Sequence, residues 1–296
     1  MRLAIGVLTL ASLLATAAAA QDRPADLPGG IYDKPYNRAQ DRDIAVGGYI
    51  DMEWEWTEDG NTFDQHRLIP FLTGRVSDRV TVSTEIEFEH GGFVSGDGET
   101  DGEIKLEYAV LDFRLAEALQ YRGGVILSPL GAFNLLHDSP LNDLTARPLV
   151  DRQLIPTTLS EAGMGFFGTV YPGIESVLSY EAYLVNGFDG SGFTASGLRG
   201  GRQKGSKALA EDFAWVGRLD WTATPGLTVG VSAYVGDSGQ DLVDDTGRSI
   251  DVGTTIWDVH ADWRWRGLQV RGLWSEAELD DVARLNEVLG YEGANS

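Results

Sequence analysis

The 296-residue sequence has no cysteine, few basic residues and no long apolar run beyond residue 20. Without cysteine there are no disulfide bonds, so hydrogen bonds and packing must hold the fold. Lys and Arg number 23 against 45 Asp and Glu, and the net charge of −22 excludes the basic surface that nucleic-acid binding needs. A membrane-spanning helix needs about 20 consecutive apolar residues. If the mature chain spans a membrane, it must do so as a closed barrel of strands.

The N-terminus has the layout of a secretory signal peptide. A basic second residue precedes an uncharged apolar run over 3–20, and three alanines fit a cleavage site before Gln21. A membrane anchor is the alternative, but polar residues follow the run at once, which favours cleavage near Ala20. We therefore predict a signal peptide over 1–20 and, because proline and charge are frequent there, a flexible lead-in over 21–43.

From residue 44 onward, apolar and polar residues alternate with a period of two, as in a strand with one apolar face. In one stretch Trp257, Val259, Ala261, Trp263 and Trp265 alternate with Asp258, His260, Asp262, Arg264 and Arg266. We count about eleven such segments, and a phase slip near Ala109 predicts a β-bulge. The predicted short connections are 76–79, 116–118, 171–173, 224–226 and 266–267. The predicted long ones are 57–62, 90–102, 131–162, 187–211 and 236–254. This alternation of turns and loops is typical of outer-membrane barrels.

A soluble β-sandwich also alternates, but two features favour a membrane barrel. The polar positions are charged along whole strands, which requires water or mutual pairing on that face. Tryptophans lie near strand ends on the apolar face, as they do at membrane interfaces. These are Trp54, Trp56, Trp215, Trp221, Trp257, Trp263 and Trp265. We predict an all-β fold, an antiparallel transmembrane β-barrel of the porin type over 44–296, in the outer membrane.

The polar face of such a barrel lines its lumen. The predicted wall residues are Asp51, Glu53, Glu55, Glu85, Glu87, Glu89, Lys105, Glu107, Asp112, Arg114, Arg122, Glu181, Arg218, Asp220, Asp258, Asp262, Arg264, Arg266 and Arg271. Acids outnumber bases in this set. Opposed charges in a narrow pore would bias ion passage. Alternatively, they pair across strands and stiffen the wall.

The longest connection, 131–162, contains Leu, Val, Ile and Phe, so it needs a surface to pack on. We predict that it folds into the barrel as a constriction, although an outer cap is the alternative. The charged residues expected at the narrowest point are Asp138, Asp143, Arg147, Asp151 and Arg152.

Several segments resemble the phosphate-selective porin O/P-like family of outer-membrane porins. They are 63–67, 77–80, 85–92, 137–150, 155–163 and 180–187. The resemblance implies a barrel of about sixteen strands, a homotrimer, and a loop folded into the pore. Phosphate-selective members use a ladder of Arg and Lys, whereas the predicted inward acids dominate here, which argues against phosphate selectivity. The last residues, 289–296, read as part of a loop that follows a short helix from about Asp281, not as a terminal strand with a closing aromatic. We therefore expect a barrel that lacks its C-terminal strands.

The predicted function is passive diffusion of small hydrophilic solutes or ions, with outer-membrane lipid as the surrounding partner. The alternative is a structural or ligand-binding barrel with a plugged lumen. We expect no enzymatic activity and no cofactor, because the sequence has neither a nucleotide-binding glycine loop nor a nucleophile elbow. We also expect no metal, because the histidines lack metal-ligand spacing in the sequence. They are His66, His90, His137 and His260.

Overall fold

The computed structural model describes residues 3–7 (backbone only), 44–58, 60–91, 102–142, 144 and 146–290. The strands are β1 Leu3–Val7, β2 Ile44–Thr57, β3 Gly60–Ser77, β4 Val80–Glu89, β5 Glu103–Ala116, β6 Leu119–Leu127, β7 Ser160–Gly173, β8 Ser176–Val185, β9 Ala214–Thr224, β10 Leu227–Asp237, β11 Gly253–Trp265 and β12 Leu268–Leu279. The helices are α1 Leu149–Gln153 and α2 Val282–Leu289. Neither helix in the described part of the chain is long and apolar enough to cross a membrane.

The strands form one antiparallel sheet in the order β1-β12-β11-β10-β9-β8-β7-β6-β5-β4-β3-β2. From β2 to β12, each strand pairs with its neighbours in sequence, so the all-β prediction and the count of about eleven strands are confirmed. Strand β1 pairs with β12 and lies within the predicted signal peptide, whose cleavage stays a prediction. The predicted lead-in over 21–43 lies outside the described residues.

Connections alternate in length as predicted, with one exception. The short turns are 78–79, 117–118, 174–175, 225–226 and 266–267. The long connections are 90–102, 128–159, 186–213 and 238–252. The exception is the predicted loop 57–62: β2 and β3 pair as far as Thr57 and Gly60, so only two residues separate the strands. Gly60 has a φ of 145°, which its missing Cβ permits.

The burial pattern is the reverse of a soluble protein's. Along β10, Val231 and Val235 are exposed, whereas Ser232 and Tyr234 between them are buried. All seven tryptophans predicted for the apolar face are exposed. Because successive side chains of a strand point to opposite faces, one face of the sheet is apolar and uncovered, and the other is covered and carries buried charged residues together with a buried apolar cluster.

The predicted β-bulge lies two residues before Ala109. The pairing of β4 with β5 shifts register where Glu85 is opposite Tyr108 and Ile86 is opposite Leu106. The extra residue, Glu107, is therefore unpaired in the ladder, and Glu107 and Tyr108 are both buried. The apolar face resumes on the other parity of residue numbers after the bulge, which explains the phase slip in the sequence.

The sheet curves around the 128–159 connection, called the inner loop below. Gly131 bonds to side chains of β10 and β11, whereas Asp138 bonds to Tyr49 of β2. Strands β2 and β11 are nine positions apart in the sheet, or roughly 43 Å if it were flat. Residues 131–138 can span at most about 25 Å. Contacts with both strands from so short a segment, together with the burial of the sheet face that makes them, indicate that the sheet curves around the inner loop with this face on its concave side.

Candidate pore constriction

The inner loop is anchored to the interior wall at Gly131. The Gly131 N–H donates to Ser232 Oγ at 2.8 Å and to Asp258 Oδ2 at 3.1 Å. Arg218 donates to the Gly131 carbonyl oxygen from the other side. Gly131 has a φ of 73°, and a Cβ there would lie 2.5 Å from Cδ1 of Ile155. Both the backbone conformation and the tight fit explain glycine at this position.

Asn134 fastens the two ends of the inner loop together. Its Nδ2 donates to the carbonyl oxygens of Ser128 at 2.7 Å and Leu159 at 3.0 Å. Its Oδ1 accepts the Leu159 N–H at 2.9 Å. The apolar residues Val150 and Ile155 are buried beneath this closure. The apolar residues of the inner loop thus pack against one another and against the concave face of the sheet, which provides the packing surface that the sequence predicted.

A second loop, 186–213, packs against the inner loop. Arg199 donates to the carbonyl oxygen of Thr157, and Arg202 Nη1 donates to that of Thr158 at 2.9 Å. None of the basic residues of this connection was among the predicted constriction residues. The sequence does contain a signal for them, because four basic residues lie close together in an otherwise acidic chain: Arg199, Arg202, Lys204 and Lys207.

Several loop cations at this junction have no ion pair among the described residues. Arg147, Arg202 and Lys204 each lack a carboxylate oxygen within 4.0 Å there. Burial, followed by repulsion from Arg67, lowers the pKa of Arg147. Burial and nearby Arg199 lower the pKa of Arg202 to about 10. The two arginines nevertheless stay charged at neutral pH, because a guanidinium keeps its proton in proteins.

The acids that face these cations lie on β4 and β5: Glu107 of β5 acts on all three, and Glu87 of β4 acts on Arg147. Arg67 Nε lies 2.9 Å from Glu87 Oε1, and Lys105 pairs with Glu89. The strand charges therefore neutralise one another in part, while the loop cations do not. Acids outnumber bases among the strand residues predicted for the wall, whereas the inner loop and second loop add positive charge beside them.

The interior also has a dense ion network on β5, β6 and β8. Arg122 Nε and Nη2 each donate at 2.8 Å to one oxygen of Asp112. Its Nη1 lies 3.5 Å from Glu181 Oε2, and its guanidinium carbon lies 4.3 Å from the ring centroid of Phe167. This arrangement matches the alternative in which wall charges pair across strands and stiffen the barrel.

A cavity of about 540 Å³ lies between the inner loop and strands β7 to β12. Its lining includes Phe133 of the loop and Arg218, Asp220 and His260 of the wall. His260 Nε2 lies 2.8 Å from Asp220 Oδ1, and His260 Nδ1 lies 2.6 Å from Asp258 Oδ1. The cavity is large enough for a small solute.

The structure separates the five predicted constriction residues. Asp138 and Asp151 are fully buried, and Arg147 is partly buried in the interior. Burial raises the pKa of Asp151 to about 7, although Thr157 Oγ1 donates to it at 3.3 Å. Arg152, in contrast, is exposed, because α1 turns its side chain away from the packed side of the loop. The fifth, Asp143, lies outside the described residues.

Most of the predicted wall residues lie on the concave face. The fully buried ones are Glu85, Glu87, Glu107, Asp112, Arg122 and Asp258. Those partly covered are Asp51, Glu53, Glu89, Lys105, Arg114, Glu181, Arg218, Asp220, Asp262 and Arg271. Glu55 and Arg264 are exposed near strand ends. Arg266 is a correction: it lies in the turn after β11 with a φ of 47°, and its guanidinium stacks 5.1 Å from the Trp265 ring centroid.

Comparison with known proteins gives one relative in sequence. No family model matches the chain, so the resemblance to the porin O/P-like family stays a prediction. An uncharacterized protein of Aquifex aeolicus (strain VF5) is 31% identical over 248 residues, covering 82% of this chain and 54% of that protein. The chain therefore spans about half the length of the curated relative that it matches.

Two solved structures are similar at a low level. The crystal structure of Pseudomonas aeruginosa OpdQ aligns with a TM-score of 0.30 and 10% identity, over 80% of this chain and 77% of that one. OmpT of Vibrio cholerae, an outer-membrane protein solved in trimer form, aligns with a TM-score of 0.36 and 10% identity, over 80% and 78%. Scores this low do not establish a shared function.

Proposed function

We propose that the chain forms the wall and constriction of an outer-membrane channel for small hydrophilic solutes or ions. The observation that carries this proposal is the reversed burial: an uncovered apolar face outside, and a covered charged face that surrounds two loops inside. A bilayer favours the first face, and a water-filled lumen favours the second. A soluble sandwich would require the opposite distribution.

The exposed tryptophans support a membrane position. Trp215 and Trp257 lie toward the long-loop ends of β9 and β11, and Trp221, Trp263 and Trp265 lie toward the short-turn ends. Six to eight residues separate the two groups along each strand, or roughly 20–26 Å. Barrels carry an apolar band about 25 Å tall between two aromatic girdles. With a strand tilt of about 40°, the two groups lie roughly 15–20 Å apart along the membrane normal, slightly less than the height of that band.

The direct test of the proposal is a planar-bilayer recording of the purified full-length protein. Stable ohmic steps are expected, because charged wall residues and loop cations hold water in the interior. The second candidate, a plugged binding barrel, is favoured by the tight closure of the inner loop at Asn134. Silence from protein that is fully folded by circular dichroism would support the plugged barrel and contradict the channel.

Ion preference is tested at Arg147, one of the loop cations without a carboxylate partner among the described residues. Replacing Arg147 with Gln is expected to shift the reversal potential in a salt gradient toward cation selectivity, because a fixed positive charge leaves the narrow part of the pore. Arg152→Gln is the matched control, since it removes the same charge from an exposed position of the same loop. Equal shifts from both variants would contradict a constriction at Arg147.

The assembly state is a separate part of the proposal. We propose a homotrimer embedded in outer-membrane lipid, the state implied by the resemblance to the porin O/P-like family. Chemical crosslinking of the protein in mild detergent is expected to give a ladder that stops at three chains. A ladder that stops at one chain would contradict this assembly without affecting the channel proposal.

A further inference from the structure

The fold brings together three metal-ligating side chains that are far apart in sequence. Glu85 is on β4, and His137 and Asp138 are on the inner loop. One ligand atom from each lies within 4.8 Å of the other two, and all three residues are more than nine-tenths buried. The group therefore joins the inner loop to the wall.

The hydrogen bonding of His137 favours a metal ligand. Its Nδ1 lies 2.8 Å from the carbonyl oxygen of Asn134. A carbonyl oxygen only accepts, so Nδ1 must carry the proton. In the neutral ring, Nε2 is then the nitrogen with the lone pair, which is the one that could ligate a metal ion. Metal-bound histidines are oriented in this way, with the second nitrogen donating to a backbone carbonyl.

The surroundings hold the three side chains in place. Asn134, whose carbonyl oxygen orients His137, is itself fixed by its bonds to both ends of the inner loop. The Tyr49 hydroxyl donates to Asp138 Oδ1 at 3.2 Å, so the aspartate is oriented by β2. Preorganised ligands with oriented outer partners are what a tight metal site requires.

Charge gives a further reason to expect a cation. Two carboxylates this close and fully buried repel each other and lose hydration. A proton on His137 would neutralise one of them, whereas a divalent ion neutralises both. One imidazole and two carboxylates suit Zn²⁺ and similar first-row divalent ions.

We propose that Glu85, His137 and Asp138 bind a divalent transition-metal ion of the Zn²⁺ class, which fastens the inner loop to the barrel wall. The site is closed to solvent, so the ion has a structural role. Metal binding can be measured without a conductance assay. A negative result for the metal site would therefore not contradict the proposed channel, and a negative conductance result would not contradict the metal site.

A second group of the same composition provides an internal control. Asp51, Glu53 and His66 also meet within 4.8 Å, but they are only half-buried. His66 Nδ1 lies 3.2 Å from Asp51 Oδ2 and 2.9 Å from Glu53 Oε1, so that nitrogen is already shared between two carboxylates. This group lacks the carbonyl-oriented histidine and the full burial of the first.

The test is calorimetric titration of Zn²⁺ into chelator-treated full-length protein in detergent. One ion per chain is expected to bind tightly and to raise the thermal midpoint. His137→Gln is expected to weaken binding by more than about 100-fold, since even loss of an outer partner costs about 10- to 100-fold. His66→Gln is expected to keep the tight site. Glu85→Gln, nearly isosteric, and Asp138→Asn should each weaken binding if they are ligands.

A spectroscopic measurement keeps the inference testable if a variant fails to fold. The unsubstituted protein loaded with one equivalent of Cu²⁺ is expected to show nitrogen coupling from a single histidine in its electron paramagnetic resonance spectrum. Three results would overturn the inference: no tight Zn²⁺ site in the folded protein, a tight site that is lost in His66→Gln and kept in His137→Gln, or a Cu²⁺ spectrum without nitrogen coupling. The first would mean that a protonated His137 alone balances the two acids.

Discussion

Removing the guanidinium of Arg122 is expected to destabilise the fold strongly, because the group holds two buried acids. Both oxygens of Asp112 accept from it at 2.8 Å. Its Nη1 also donates to the Tyr183 hydroxyl at 3.3 Å and lies 3.5 Å from Glu181. The two carboxylate side chains are only 6% and 12% exposed, so water screens them little once the cation is gone.

The magnitude follows from this burial. Deleting one partner of a buried ion pair costs about 3–5 kcal/mol, because the other charge is left uncompensated. Here two carboxylates lose their common partner, so we expect a value within or above that range. At about 1.4 kcal/mol per factor of ten, the folding equilibrium constant falls roughly 100- to 4,000-fold.

Arg122→Met is the informative substitution, because methionine keeps an apolar stem against Phe167 while removing the charge. The measurement is the free energy of unfolding by denaturant in phospholipid vesicles. Arg264→Met is the control: Arg264 pairs with Asp262 at 3.1 Å, but its side chain is 60% exposed, and such pairs contribute about 0–1 kcal/mol. If the two variants lose similar stability, the network does not stabilise the wall as argued.

Three further predictions concern the inner loop and the apolar face. Gly131→Ala should undock the inner loop and change single-channel conductance. Gly247→Ala, at a similar φ but with open space around it, should leave conductance unchanged. Identical conductance in both variants would contradict the anchoring of the loop at Gly131. Burial raises the pKa of Asp151 in the folded protein to about 7, above its value in the unfolded chain. The protonated carboxyl therefore stabilises the fold fully below about pH 4, and this stabilisation is lost as the pH rises through about 7. Asp151→Asn should therefore flatten the thermal midpoint between pH 5 and pH 8, and an unaltered pH profile would refute this. Val231→Arg should lower the free energy of unfolding in vesicles by about 2–4 kcal/mol. Val243→Arg, in the 238–252 connection, should lower it by under about 0.5 kcal/mol. Equal small losses would argue against a β10 whose apolar face contacts lipid.

Local features of the fold were predictable because they depend on side-chain period. Alternation with a period of two identified the strands, the apolar face and the exposed tryptophans. The bulge at Glu107 was visible as a phase slip near Ala109. The predicted length of the connection after Thr57 was wrong. Strand β3 begins at Gly60, and the polar residues at its start had indicated a loop.

The site was only partly predictable. The composition of the inner loop indicated that it needed a packing surface, and Asp138, Arg147 and Asp151 do lie in the interior. The same reasoning put Arg152 beside them and Arg266 on the wall. The alternation of apolar and polar residues does not predict which side of a short helix in a loop is buried. It also does not predict at which residue a strand ends.

The sequence by itself determined that this protein is a sheet with one apolar and one charged face, since alternation is a property of neighbouring residues. Only the tertiary structure decided which distant groups meet. It brought Arg202 of one loop against Thr158 of another, and it placed His137 beside Glu85 of a strand. The physical reason is that such contacts depend on sheet curvature, register and loop path, which accumulate over the whole chain and leave no mark in any single segment.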